Sequence, residues 1–90
     1  MEAVGLLEVQ ALTAAIEGLD AMLKAANVRL VHIERRLGGR LVTMVVAGTV
    51  SAVTSAVEAG RTAAARIGNV KCCEVIARPH DEVIKFFTDF

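Results

Sequence analysis

The residues best suited to chemistry lie in one stretch, Glu34-Arg35-Arg36-Leu37-Gly38-Gly39-Arg40-Leu41, where three arginines surround a glycine pair. Such a stretch can cradle a phosphate, turn a hairpin, or present positive charge into a space the chain does not enclose alone. A phosphate-binding glycine loop normally leads into a helix N-terminus, where free N–H groups and the helix dipole meet the anion. Here the glycines lead into LVTMVVA (41–47), which reads as a strand, so the nucleotide signal is weak. For an isolated chain the plain reading is a hairpin with solvated arginines, since glycine reaches positive φ at no steric cost.

Other reactive side chains do not converge. His32, His80, Cys72 and Cys73 lack the C-x-x-C or H-x-x-x-H spacing that brings metal ligands together, and no metal or cofactor is expected. Cys72 and Cys73 are adjacent, a poor geometry for an ordinary disulfide, and in a strand they point to opposite faces. They read as buried, small hydrophobic residues of a reduced, cytoplasmic chain. No Ser or Cys has an obvious His partner for nucleophilic chemistry. Acylphosphatase, a hydrolase of similar size and fold class, has an arginine-bearing loop after its first strand that has no counterpart in LEVQALTAAIE. Glu17, Asp20 and Lys24 fit a solvated helix face. No enzyme is expected.

Bulk properties narrow the function further. Ninety residues make a single domain, 1–90, with a small core. Yet 54% of the chain is apolar, with one Pro and three aromatic residues, all Phe. That surplus points to surfaces buried against other copies. Ten acids balance ten bases, and no basic run is interleaved with aromatics, so nucleic-acid binding is not expected. The longest strongly apolar run, Leu41 to Ala47, is far short of the roughly 20 residues that span a bilayer. The opening MEAVGLLEV has no basic leader and meets an acid at Glu2, unlike a secretion signal.

The elements that position the arginine stretch follow from periodicity. Residues 3–10 read as a strand. From Ala11 a helical stripe runs through Leu12, Ala15, Ile16, Leu19, Met22, Leu23 and Ala26, opposite Thr13, Glu17, Asp20, Lys24 and Asn27. Asn27 is a suitable helix end. Residues 28–35 and 41–47 are strands about the glycine pair. Thr49 suits the cap of a second helix with the stripe Val50, Val53, Val57, Gly60, Ala64 and Ile67, ended by Gly68 and Asn69. Residues 70–77 form a fourth strand, stopped before Pro79. Val83, Phe86, Phe87 and Phe90 mark a short amphipathic helix that Asp81 suits as cap. The order predicts an α/β (α+β) chain of ferredoxin-like type: a four-stranded antiparallel sheet, two main helices on one face and a short C-terminal helix.

The segment EAVGLLEVQALTAAIEGLDAMLKAANVRLV, followed by GGRLVT, EAGRTAAARIG and VIARPH, resembles the single-domain, hexamer-forming class of bacterial microcompartment shell proteins. The resemblance covers about residues 3–82. It implies the BMC variant of the ferredoxin-like fold and a cyclic homo-hexamer whose discs tile the facets of a cytoplasmic protein shell. The implied partners are other shell proteins at the hexamer edges, encapsulated enzymes, and small anionic or polar metabolites crossing a central pore. That pore is lined by the loop Arg36, Leu37, Gly38, Gly39 and Arg40. Lys24, Asn27 and Arg78 match the family's hexamer–hexamer edge set.

Two departures from the family pattern stand out. Relatives usually have one residue fewer between the second and third strands, so the pore loop here is expected to be enlarged and more charged. Relatives also commonly carry V-R-G-D-V where this chain has Val46-Ala47-Gly48-Thr49-Val50. The alternative reading, from the residues alone, is a small ferredoxin-like ligand-binding or regulatory domain.

Overall fold

Strand alternation sets the sheet. In β1 (Ala3–Gln10) the residues Ala3, Gly5, Leu7 and Val9 face a helical layer and are buried, while Val4, Leu6 and Glu8 face the other way. The computed structural model describes residues 2–88. After β1 come α1 (Leu12–Ala25), β2 (Arg29–Arg36), β3 (Leu41–Gly48), α2 (Val50–Ala65), β4 (Asn69–Ala77) and α3 (Asp81–Thr88). The sheet order is β2-β3-β1-β4, with every neighbouring pair antiparallel. Two split β-α-β units therefore interleave, the ferredoxin-like arrangement.

The core lies between the sheet and the α1–α2 layer. Leu7, Val9, Val42, Met44 and Val46 from the strands meet Ala14, Ala15, Met22, Ala56 and Ala64 from the helices. Fully burying side chains of the size of Leu7 or Met22 contributes roughly 1.5–3 kcal/mol each. The two helices approach closely because Gly18 and Gly60 face each other. A Cβ on Gly60 would stand 2.5 Å from Met22 Cγ and 3.1 Å from the Gly18 carbonyl oxygen. α2 lies as close to β1, where a Cβ on Gly5 would fall 2.4 Å from one Val57 methyl.

That close contact changes which face of α1 is inward. Ala14, Ala15, Gly18 and Met22 are buried, whereas Ile16 and Leu23 from the predicted stripe are 59% and 43% exposed. Small residues win the inward face because only they admit the second helix. α2 follows its stripe from Val53 to Ala64, but the end members Val50 and Ile67 are exposed. Other boundaries also move. α1 ends at Ala25, ahead of Asn27. Gly68 closes α2 through its amide to the Ala64 carbonyl, and its lack of a Cβ makes room for the Gln10 carbonyl. Thr49 does cap α2, its Oγ1 accepting from the Ala52 amide at 3.1 Å.

α3 lies apart from the two main helices, and its cap differs from the expected one. It lies on the sheet face away from α1 and α2, where Phe87 packs against Val4, Val45 and Ala47. Its cap is His80, whose Nδ1 accepts from the Glu82 amide at 3.1 Å and whose carbonyl accepts from Val83 and Ile84. Asp81 is already inside the helix. Phe90, the last member of the predicted stripe, lies outside the described residues.

Candidate functional site

The arginine stretch forms a tight connection at one end of the sheet. β2 continues to Arg36, which pairs with Leu41, so only Leu37 to Arg40 cross between strands. Earlier in β2 a bulge lies between Leu30 and His32, which pair with the successive residues Val46 and Val45. The crossing turns through Leu37, Gly38 and Gly39, at φ of 55°, 68° and 89°. A Cβ on Gly38 would meet nothing within 4 Å, so backbone conformation rather than space requires glycine there within the chain. Leu37 adopts the left-handed region without being glycine, and its side chain is 64% exposed.

Arg40 staples this turn. Its backbone amide and its Nε both donate to the Leu37 carbonyl, at 3.3 and 2.7 Å. Glu34, the nearest acid in sequence, is occupied by His32, whose Nε2 lies 3.2 Å from Glu34 Oε1. None of the ion pairs among the described residues involves Arg35, Arg36 or Arg40. The loop and the end of β2 thus bring together three guanidinium groups that form no ion pair among the described residues. Such a cluster attracts anions.

The predicted edge residues gather at the opposite end. Lys24 sits in the last turn of α1, 75% exposed, with Nζ 2.8 Å from Asp20 Oδ2. The hydrogen bond that Lys24 donates to Asp20, then the Asp20 charge, hold the Lys24 ammonium above the ordinary lysine range. Asn27 lines an open cleft of about 470 Å³ with Glu2, Arg29, Gly48 and Thr49. Arg78 is exposed, at φ 48°, and its amide donates to the Glu2 carbonyl. The strand register puts this group at the Ala3–Gly48 end of the sheet and the arginine loop at the Val9–Val42 end. At about 3.3 Å per residue, the eight residues of β3 separate the two by roughly 26 Å.

The two residues of the second departure also find places. Thr49 supplies the helix cap, and Ala47 is buried against Val4 and Val45 on the α3 face. Cys73 faces the core beside Leu7, but Cys72 is exposed, contrary to expectation, because β4 is an edge strand whose outer face α3 leaves open. Its Sγ donates to Glu8 Oε1 at 3.5 Å, while Glu8 Oε2 accepts from Thr43 at 2.9 Å. Partial burial, then the Glu8 carboxylate, push the Cys72 thiol above its usual range. Among the described residues, no three His, Cys, Asp or Glu side chains gather closely enough to hold a metal ion. Also among them, no helix is long and apolar enough to cross a membrane.

Sequence reasoning missed the His80 cap, the Glu8–Thr43 bond and the β2 bulge. The last two depend on strand register, which only the assembled sheet defines.

Comparison with known proteins agrees with this fold. The family profile described as BMC domain matches residues 3–79. The chain is 52% identical over 84 residues to the bacterial microcompartment shell protein PduA of Citrobacter freundii, covering 93% of this chain and 89% of that one. It is 46% identical over 87 residues to the shell protein EutM of Escherichia coli K12, covering 97% and 89%. A solved microcompartment protein from Desulfitobacterium hafniense superposes with a TM-score of 0.81 at 38% identity, covering 94% of this chain and 46% of that one.

Proposed function

The chain belongs to the BMC domain family, and from that premise we propose that its copies close into cyclic hexamers that tile the facets of a bacterial microcompartment. Its role in the shell is structural, as it is for PduA and EutM, and not enzymatic. Residues 1–90 act as one shell domain. In the ring, Arg36 to Arg40 approach the axis and line a pore for small anionic or polar metabolites. Lys24, Asn27 and Arg78 meet neighbouring discs and other shell proteins at the rim. The assembly sits in the cytoplasm around its encapsulated enzymes.

One observation carries this reading: the arginine loop and the Lys24 group occupy opposite ends of the same sheet. A head-to-tail ring needs one end at the axis and the other at the perimeter. The exposed apolar side chains Ile16, Leu23, Leu30, Ile33 and Ile67 supply surface for contacts between copies. Light scattering on the purified protein tests it: six chains of 9.5 kDa give about 57 kDa. A monomer or dimer mass would favour the small ligand-binding domain instead.

A further inference from the structure

We infer that Arg35, together with Arg36, gives the pore two separate anion-binding tiers, one on each face of the sheet, with the Arg35 tier the tighter. This rests on the pore reading above and goes beyond it, because Arg35 lies outside the loop itself.

The register carries the argument. Arg36 pairs with Leu41 and Arg35 with Val42. Side chains directly opposite across an antiparallel pair share a face. Val42 is fully buried in the core beneath α1 and α2, so Arg35 leaves the sheet on that side. Leu41 and Arg36 line a groove on the α3 side. The two guanidinium groups therefore head for opposite faces although their residues are adjacent.

Their surroundings differ in charge. Arg35 borders a hollow of about 320 Å³ whose other walls are Leu12, Gly38 and Gly39, with no acid among them. Arg36 shares its groove of about 390 Å³ with Glu8 and Glu34, along with His32, Phe86 and Phe87. Both carboxylates are engaged, Glu8 by Thr43 and Cys72 and Glu34 by His32, yet they still offset the positive field. Arg40 is bent back onto the Leu37 carbonyl and lines neither recess. A small oxyanion such as a carboxylate or phosphate approaching from either side thus meets a guanidinium, and the side without carboxylates holds it more firmly.

Single-ring current recordings in a planar bilayer, with inorganic phosphate added to one compartment or the other, test the proposal. Wild-type rings should be blocked from both sides, at apparent affinities differing at least threefold. Arg35→Gln should remove the tighter block and leave the weaker, Arg36→Gln the reverse, and Arg35→Lys should retain both. Wild-type block from one side only overturns the two tiers, even where a Gln variant fails to assemble. Loss of the weaker block in Arg35→Gln overturns their order. Conducting rings insensitive to phosphate would remove the tiers and leave the pore. Rings that pass no current would remove the pore reading and the tiers with it.

Discussion

At the residue scale, similar side chains acquire different roles from their immediate partners. Lys24 would be one more solvated lysine if its place at the end of α1, near Asn27 and Arg78, were ignored. Its bond to Asp20 is an exposed i,i+4 pair, which adds little to stability. Lys24→Ala should therefore leave ring mass and thermal stability near wild type while abolishing extended sheets in electron micrographs. Unaltered sheets would remove Lys24 from the edge. Cys72 shows the opposite case, an exposed group made less reactive by its neighbours. The thiolate is the species that alkylates, and a raised thiol pKa postpones it to higher pH. The pH profile of Cys72 alkylation by iodoacetamide should accordingly lie above that of an ordinary thiol. In Glu8→Gln, with the carboxylate charge gone, it should shift to lower pH. Cys73→Ala as background isolates the signal.

At the element scale, small residues determine how closely the layers stack. At Gly5, where α2 crosses β1, one methyl each of Val57 and Val53 lies 2.4 and 2.7 Å from where a Cβ would stand. Both neighbours are β-branched and stiff about χ1, so neither side chain yields readily. Gly5→Ala should lower stability by about 1–3 kcal/mol, as overpacking does, read as a lower denaturation midpoint with unchanged helix content. An unchanged midpoint would mean that α2 slides on the sheet. The β2 bulge matters at the same scale. It shifts the register within the strand by one residue, and pairing then continues regularly to Arg36 and Leu41.

At the scale of the whole molecule, the apolar surplus becomes an argument about assembly. The chain measures 32 × 26 × 17 Å, a slab with apolar side chains left on its flanks. If those flanks are buried between copies, association stabilises the folded state by mass action. The thermal midpoint should then rise with protein concentration across the range where the measured mass changes from single chains to rings. A midpoint independent of concentration across that change would mean that assembly adds nothing to folding.

Much of this was legible in one dimension. Apolar runs without a helical period in 3–10 and 41–47 identified strands, a mixed three-and-four spacing identified helices, and Thr49 announced its cap, because each depends on residues that are neighbours along the chain. The glycine pair announced a turn for the same local reason. What only the tertiary structure decided required a partner distant in sequence. α1 turned its alanines and Gly18 inward because α2 arrives with Gly60, and Ile16 and Leu23 were left outside. The sheet pairing set the face taken by each arginine, since one residue of register reverses every side chain. Antiparallel topology alone carried Lys24, Asn27 and Arg78 to one end of the sheet and the arginine loop to the other, because strand direction assigns ends that spacing along the chain does not contain.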